Sequence, residues 1–429
     1  MAEAPGGGAP HPPDATFPLE RIPQGARDVA ARLREAGYEA YFVGGAVRDV
    51  LVERAGAAAG PADGAAASAH AVDIATSATP GEVQRLFRRT VPIGVEHGTV
   101  AVLDALGAPH EVTTFRRDVE TDGRHAVVRF GVSLAEDLAR RDFTINAIAV
   151  HPESGALVDP FGGRSDLAAR LVRAVGDPAQ RFLEDRLRIL RALRFAAVLG
   201  FEIEDGTWRA LHAQADALEH LSRERVRDEW LRTLEAPLPG AGVLLWKKAG
   251  VLGPVWPEML NLPAATPGRV DASEVHDPVL ITAALLFQSG ASPEQAEGAA
   301  RRLRFSNRDT TRVRGVVAAL ADTPPAPGQA RDVRRWLSRH RDVSHDALAV
   351  AEPRARRGDL LAAVRAVETA GDPLSVRELA VSGADLTAEG IATGRRVGEV
   401  LRALLDEVLD EPWRNSREQL LQRARELAR

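Results

Sequence analysis

The chain has 429 residues, a hydrophobic share of 45% and a formal net charge of −5, which allows two to four domains and a substantial core. It contains no cysteine, which excludes disulfides and thiolate metal sites. No apolar run is long enough to span a bilayer and the first residues lack the features of a signal peptide, so we expect a cytoplasmic protein without a membrane partner.

The distribution of residue types predicts how the chain is organised. Residues 1–17 are rich in Gly, Pro and Ala, which predicts disorder, and the low-complexity segment 55–69 predicts a mobile loop. Helix and strand patterns alternate from about 22 to 158, and the pattern after about 166 is helical. In the first of these regions we predict three strands, Thr99–Leu106, His110–Phe115 and Ala126–Phe130.

The first motif is YFVGGAVR, Tyr41 to Arg48, where an apolar run ends in Gly44-Gly45. This pattern predicts a buried strand that turns directly into a helix. Glycines let a phosphate approach the backbone, a helix N-terminus offers free N–H groups, and Arg48 adds a forked cation. The motif is therefore a candidate triphosphate site, with a plain turn and a surface arginine as the alternative.

The second motif is VDIATSATP, Val72 to Pro80. Positions 71 and 73 of an extended strand share one face, so two acids there could hold paired divalent ions for phosphoryl transfer. This chain has Asp73 but Ala71. Glu111, in HEVTTFR, is a candidate further ligand on a neighbouring strand, although an isolated strand Glu is more often simply solvated.

The third motif, ARRDFTINAIA from Ala139 to Ala149, combines charged and apolar residues. Arg140, Arg141 and Asp142 suit ribose hydroxyls and phosphates, or form a charged strand edge. Three apolar residues of the motif are expected in the core: Phe143, Ile145 and Ile148.

A helix is predicted over 177–200, because Asp-Pro starts it and Gly200 ends its apolar periodicity. Asp185 and Arg188 are three residues apart and would share one face, with Arg191 and Arg194 further along it. An acid beside a guanidinium can hydrogen-bond the Watson–Crick edges of bases. The alternative is an intrahelical salt bridge worth ~0.3 to 0.5 kcal/mol.

Together these motifs resemble the class II tRNA nucleotidyltransferase and bacterial poly(A) polymerase family, within the polymerase-β-like nucleotidyltransferases. The resemblance covers about 30–425. Five blocks carry it, in the family's order: GGAVRD, VDIATSATP, ARRDFTINAIA, EDRLRILRALRF and LSRERVRDE. Where the family has Asp-x-Asp in the second block, this chain has Ala71 in place of the first acid.

The resemblance implies a role for each block. It implies that the GGAVRD turn binds phosphates, that the Asp73 strand binds Mg²⁺, and that Arg140 or Arg141 and Asp142 contact the incoming nucleotide. Asp185 and Arg188 would recognise CTP and ATP, with the protein as template. Because Ala71 removes one metal ligand, we expect turnover by this chain to be crippled.

The C-terminal half carries a weaker resemblance. Residues 379–421 look like the tail of many bacterial members, in which this half binds the elbow of tRNA. Arginine-rich segments 301–314 and 331–341 suit an RNA backbone, and solvated helix faces explain them equally well. His276-Asp277 predicts a helix start rather than a second hydrolytic site.

The prediction is an α+β protein, in which a polymerase-β-like nucleotidyltransferase head with a mixed sheet precedes a helical neck, body and tail. The expected divisions are a leader (1–21), head (22–165), neck (166–235), body (236–330) and tail (331–429). The expected function is template-independent addition of CCA to tRNA from CTP and ATP with Mg²⁺. Alternatives are poly(A), CC-only or A-only addition, and a nucleotide- and RNA-binding protein without turnover. The oligomeric state is left open.

Overall fold

The computed structural model describes residues 16–54, 72–121, 126–218, 221–273, 275–322, 325–326, 328–351 and 357–429. Residues 1–15 of the predicted disordered leader, the predicted mobile loop 55–69 and Ala71 lie outside these ranges. The chain divides into two compact units, Met1–Val255 and Trp256–Arg429. The finer division into head, neck, body and tail stays a prediction. Among the described helices, none combines the length and apolarity needed to cross a bilayer.

The first unit is built on a mixed sheet of seven strands in the order β3-β4-β5-β2-β1-β8-β9. Strands β2 and β5 pair in parallel and the other neighbours are antiparallel. This sheet and the many helices that follow it confirm the predicted fold class. The strands are β1 (Ala40–Val43), β2 (Asp73–Thr76), β3 (Thr90–Gly94), β4 (Thr99–Leu103), β5 (Pro109–Thr114), β8 (Ala149–Val150) and β9 (Leu157–Val158).

Two small sheets complete the strands of this unit. They pair β6 (Arg116–Thr121) with β7 (Ala126–Phe130), and β10 (Leu171–Val172) with β11 (Glu202–Ile203). The helices of the unit are α1 (Gln24–Glu35), α2 (Gly45–Arg54), α3 (Pro80–Leu86), α4 (Leu134–Ala139), α5 (Gly163–Ala169), α6 (Pro178–Glu184), α7 (Leu187–Leu199), α8 (Asp205–Ala213), α9 (Arg223–Leu234), α10 (Pro239–Lys248) and α11 (Leu252–Val255).

The two faces of the central strands differ because side chains alternate along each strand. On one face Val100, Val102 and Val112 are buried in the core. On the other face Thr99 and Thr113 lie side by side, with 3.1 Å between their hydroxyl oxygens, and both line a cavity. The alternation therefore gives the sheet one structural face and one face that carries polar groups.

The predicted helix over 177–200 is two helices. Asp177 caps α6 through hydrogen bonds to the N–H groups of Ala179 and Gln180, as the Asp-Pro pattern predicts. At Asp185 the backbone is extended, with φ −149° and ψ 103°, and α7 starts at Leu187. The prediction that Asp185 and Arg188 share a helix face was wrong, because Asp185 lies in the break between the helices.

The second unit is helical throughout its described elements. They are α12 (Thr266–Asp271), α13 (Pro278–Gln288), α14 (Pro293–Arg302), α15 (Asn307–Ala321), α16 (Ala330–His340), α17 (Ser344–Val350), α18 (Arg357–Ala370), α19 (Gly383–Ala388), α20 (Arg395–Asp410) and α21 (Arg417–Ala428). Asp277 caps α13, which is the helix-start role predicted for it.

Arginine–carboxylate pairs are frequent in the second unit. Arg312 reaches two helix starts at once, 2.5 Å from Asp277 and 2.6 Å from Asp346. In the predicted RNA-binding segments, further arginines pair with acids: Arg301 with Glu297, Arg302 with Glu258, Arg335 with Asp410 and Arg339 with Asp322. Many of these cations therefore already hold helices together.

Candidate active site

A cavity of about 1000 Å³ in the first unit brings residues of all five motifs together. Its lining includes each candidate residue that the structure describes: Gly44, Gly45, Arg48, Asp73, Glu111, Arg140, Arg141, Asp142, Asp185, Arg188, Arg191 and Arg194. The remaining candidate position, Ala71, lies outside the described residues. Motifs from widely separated parts of the sequence, from Gly44 to Arg225, thus converge on one space.

The Gly44-Gly45 turn joins β1 to α2. Gly44 has a φ of +77°, which L side chains rarely adopt, and a Cβ there would lie 2.6 Å from Oδ2 of Asp73. Gly45 is the first residue of α2, so the unpaired N–H groups of the first helical turn border the cavity. The turn therefore offers anion-binding backbone directly beside an acidic side chain.

Arg48 is buried, with 2% of its surface exposed. Its Nε donates to Oδ1 of Asp49 at 2.8 Å and its Nη1 donates to Oδ1 of Asn146 at 2.9 Å. The guanidinium also stands 5.0 Å from the ring centre of Phe195. Arg48 is thus a fixed part of the cavity wall, and the alternative of a surface arginine does not describe it.

Asp73 and Glu111 are the two acids of the sheet face. The parallel register of Ile74 with Val112 puts these residues beside each other at the start of β2 and on β5. Enclosure by the cavity walls and the nearby Glu111 carboxylate raise the pKa of Asp73 to about 6, against a smaller lowering by Arg141 and Arg48. Two like charges therefore face the cavity without an ion pair to either in the described part of the chain.

The pair fits a divalent ion only in part. Carboxylate oxygens are the ligands that Mg²⁺ prefers, and a cation would offset both the enclosure and the Glu111 repulsion that raise the pKa of Asp73. Among the described residues, however, no three His, Cys, Asp or Glu side chains gather into a metal-binding group. Asp73 and Glu111 could provide two ligands, and position 71, where a third is expected, carries a methyl group.

Asp142 is buried and held from three sides. Its carboxylate accepts hydrogen bonds from Nε of Arg191 at 2.7 Å, Nδ2 of Asn146 at 3.0 Å and the Phe143 N–H at 2.8 Å. Burial alone would raise its pKa, but the Arg191 charge and these hydrogen bonds lower the pKa of Asp142 to about 2. It is therefore a permanently ionised anchor on the cavity wall.

Arg140 and Arg141 follow α4 and share one partner, so they are not on the edge of a strand. Nε of Arg140 lies 2.9 Å from Oδ1 of Asp137, and Nη2 of Arg141 lies 3.3 Å from Oδ2 of the same side chain. Asp137 is 1% exposed. One buried carboxylate thus fixes two arginines that point towards the cavity. The expected core residues Phe143, Ile145 and Ile148 are buried.

Asp185 and Arg188 line the cavity, but each has a partner other than the intrahelical one considered above. Arg188 donates to Oε2 of Glu184 at 2.9 Å and to the carbonyl oxygen of Arg140 at 3.0 Å. Asp185 accepts from Nη2 of Arg225 at 2.8 Å and from the Leu187 N–H at 3.0 Å. An acid and a guanidinium are therefore positioned independently at the break between α6 and α7.

Further along α7, Arg194 is enclosed. It is 1% exposed, donates to Oε2 of Glu229 at 2.7 Å and stands 4.2 Å from the Phe195 ring centre. This pair links α7 to α9, next to the contact of Trp230 with Trp246. The position is suited to fixing the helices of the cavity wall.

Sequence reasoning missed the partners that orient the candidate residues. They are Asp137, Asn146, Glu184, Arg225 and Glu229. Four of them stand inside the quoted motif blocks, and Asp137 lies two residues before one. Their opposite charge or amide group was the available signal, but no local pattern states which distant residue each would meet.

Comparison with known proteins places these features in a family. The model of the "Poly A polymerase head domain" matches residues 40–173, which hold the Gly-Gly turn, the sheet and the Arg140–Asp142 segment. A "Probable RNA and SrmB- binding site of polymerase A" matches 200–262, and a tRNA nucleotidyltransferase domain 2 matches 274–424. The class defined by fold and site is thus a polymerase-type nucleotidyltransferase.

Individual relatives define the family more narrowly. The chain is 36% identical over 426 residues to a CCA-adding enzyme of Limosilactobacillus fermentum, covering 96% of this chain and 98% of the relative. It also matches the crystal structure of the Bacillus stearothermophilus CCA-adding enzyme in complex with CTP, with a TM-score of 0.76, 30% identity and coverage of 94% and 97%.

A third relative extends the likeness in fold. The Thermotoga maritima CCA-adding enzyme complexed with tRNA has a TM-score of 0.65 at 22% identity and coverage of 96% and 97%. The chain belongs to the CCA-adding enzyme family of nucleotidyltransferases.

Proposed function

We propose that this protein adds C, C and A to the 3′ end of tRNA, using CTP and ATP without a nucleic-acid template. The observation that carries the proposal is the convergence of five motifs on one cavity in a chain of this family. The solved relatives bound to CTP, to ATP and to tRNA support the same substrates. Work on tRNA fits a cytoplasmic protein, which is the location we propose.

Our proposal gives each group of the cavity a task. Backbone N–H groups at Gly45 and the start of α2 bind the triphosphate, with Arg48 fixing the wall behind it. Asp73 and Glu111 would hold Mg²⁺, which when bound activates the attacking 3′-hydroxyl and neutralises the leaving pyrophosphate. Arg140 and Arg141, fixed by Asp137, contact phosphates or ribose.

Base selection is the task we propose for Asp185 and Arg188. A carboxylate accepts from an exocyclic amino group and a guanidinium donates to ring nitrogens or carbonyl oxygens, so this pair can read a base edge. Arg225 and Glu184 hold these two side chains before a nucleotide enters. Fixed partners reduce the ordering cost of binding and sharpen discrimination.

We further propose that Ala71 makes this chain a slow enzyme. An acid two residues before Asp73 would stand on the same strand face and add a metal ligand, whereas a methyl group cannot. The loss of one positioned ion corresponds to about 3 kcal/mol at the transition state, or roughly a hundredfold in rate. Nucleotide and tRNA binding do not need that ligand and should persist.

Two alternatives differ in outcome. Poly(A), CC-only or A-only addition would use the same cavity with another preference for bases. A nucleotide- and RNA-binding protein without turnover is favoured by one specific observation, the absence of a carboxylate at position 71.

One experiment separates these readings. The purified chain and its Ala71→Asp form are each incubated with tRNAs ending before the first C, after CC and after CCA, with labelled CTP or ATP supplied separately. We expect C to enter the first tRNA, A to enter the second, and neither to extend the third. The Ala71→Asp form should be at least about a hundredfold faster. Repeated A addition, or equal rates for both forms, would contradict the proposal.

A further inference from the structure

Strand β3 carries two exposed apolar residues at the edge of the main sheet. Val91 is 46% exposed and Ile93 is 55% exposed. Both are β-branched and therefore stiff, and they stand two residues apart on one strand. A pair of rigid apolar side chains left open beside a polar cavity needs a physical explanation.

The strand register puts Val91 on the face of the sheet that carries the acids. Val91 pairs with Ala101 of β4, and Ala101 pairs with Glu111 of β5. Directly paired residues of antiparallel strands have side chains on the same face. Val91 therefore lies on the Asp73 side of the sheet, two strands or roughly 10 Å from Glu111.

A β-bulge brings Ile93 to the same face. The register shifts between Pro92 and Gly94, so that Ile93 is the extra residue and both it and Gly94 oppose Thr99. Thr99 lines the cavity, and so does His97 in the turn that follows β3. The two apolar side chains thus lie on the sheet face that carries the acids, beside strand and turn residues that line the cavity.

We propose that Val91 and Ile93 form the contact surface for the 3′-terminal nucleoside of the RNA acceptor. The proposal rests on the proposed function. In phosphoryl transfer the attacking and leaving oxygens stand roughly in line on opposite sides of phosphorus. The triphosphate site at Gly44-Gly45 adjoins Asp73 on the β1 side, so the attacking 3′-hydroxyl arrives from the β5, β4 and β3 side.

An apolar surface suits this occupant. During addition of C, C and A the acceptor ends in the residue that precedes CCA at the first step and in C at the next two steps, so its last base has to be held without reading one particular base edge. Contact with the face of a base is tolerant of sequence because every base has one, whereas hydrogen bonds to its edge are not. On this proposal Asp185 and Arg188 read the base of the incoming nucleotide, and Val91 and Ile93 hold the last base of the acceptor RNA.

The first test uses the protein as it is and does not need turnover. A tRNA that lacks CCA and carries a photoreactive thionucleotide as its last residue is bound, irradiated and mapped by peptide mass spectrometry. We expect the crosslink within Thr90–Gly94. The double variant Val91→Thr/Ile93→Thr, which keeps β-branched side chains, should lose at least about fivefold of this crosslink.

A kinetic measurement accompanies the crosslink. In the Ala71→Asp background the double variant should raise the KM for tRNA by a similar factor and leave the Kd for CTP unchanged. Leu106→Thr is the matched control, because Leu106 is 92% exposed in the same unit and lies outside β3, in the turn between β4 and β5. It should change neither value.

The inference is overturned if the crosslink maps outside Thr90–Gly94 or persists in the double variant. It is also overturned if sedimentation shows that the double variant converts a dimer to a monomer, which would make this face an interface between copies of the chain. Failure of the proposed function gives a different result. In that case neither the Ala71 chain nor its Ala71→Asp form would extend any tRNA, whereas the crosslink could still map to β3.

Discussion

Each unit of this molecule contains a pair of neighbouring acids. One pair is bridged by an arginine and the other is not. In the second unit, Asp277 and Asp346 are joined by the guanidinium of Arg312, at 2.5 and 2.6 Å. The Asp346 carboxylate and then that of Asp277 hold the pKa of Arg312 above its ordinary value. In the first unit, Asp73 and Glu111 have no such bridge among the described contacts, and the pKa of Asp73 is raised to about 6.

The two pairs show that a pair of acids can serve to hold helices together or can be left available for chemistry. Where the chain supplies its own cation, the acids cap and join helices, and nothing further is required of them. Where it does not, the repulsion is retained at a cavity, and it is relieved when a proton or an external cation arrives. A pair of acids without a built-in partner is therefore the better indicator of a working site.

The largest expected effect comes from removing the unbridged pair. In the Ala71→Asp form, Asp73→Asn should lower the single-turnover rate of CMP addition at least about a hundredfold, or about 3 kcal/mol, because an amide is a poor ligand for Mg²⁺. Binding of CTP without metal, measured by titration calorimetry, should not weaken. A variant that keeps its rate would show that Asp73 is not a metal ligand.

A third arrangement of charge, the Asp185 and Arg188 pair with separate partners, should show a smaller effect. Asp185→Asn or Arg188→Ala should reduce the discrimination of CTP and ATP from GTP and UTP by ~1 to 3 kcal/mol, because buried base edges lose hydrogen bonds. Competition between labelled nucleotides measures the ratio. Arg301→Ala, at an exposed pair in the second unit, is the control. Unchanged ratios in both variants would remove the base-reading role.

Removing the Arg312 cation should leave Asp277 and Asp346 as two acids without a bridge, which is the state of Asp73 and Glu111. Arg312→Met should lower the free energy of unfolding by about 1 to 2 kcal/mol, because partly exposed ion pairs contribute less to stability than buried ones. Adding NaCl should recover part of the loss by screening the two carboxylates. Urea denaturation at two salt concentrations measures both. A loss that is independent of salt would point to packing rather than repulsion.

The smallest effect concerns pH. Since a proton on Asp73 excludes a cation, Mg²⁺ affinity should be full above pH 6 and fall by up to about tenfold per unit below it. For folding the sign is opposite. Because the pKa of Asp73 is higher in the folded metal-free protein than in the unfolded chain, the free energy of unfolding of the metal-free protein should rise as pH falls through about 6. Asp142, with a pKa of about 2, stays ionised between pH 5 and 7 and adds no pH dependence in this range. Mg²⁺ affinity independent of pH between 5 and 7 would contradict the assignment.

Sequence reasoning succeeded where a local rule decides the structure. The Gly-Gly turn, the Asp177 cap and the acids on β2 and β5 follow from φ preference, capping and alternation. It failed at Asp185, because the apolar periodicity of α7 continues across the break while Asp185 itself caps Leu187. It also could not foresee the Asp185 contact with Arg225, which depends on how the start of α7 packs against α9, or the Asp142 contact with Arg191, which depends on how α7 packs against the segment after α4.

The approach of Gly44 to Asp73 bears on how this chain can change over generations. A side chain at 44 would have to adopt a φ of +77° and displace a carboxylate oxygen from 2.6 Å. In a chain without Gly44, an acid at position 71 would therefore not complete the proposed metal site, because Asp73 would be displaced. While Gly44 remains, an Asp at position 71 would, on the proposed function, complete the ligand set. On that proposal the glycine keeps the loss of the first acid reversible.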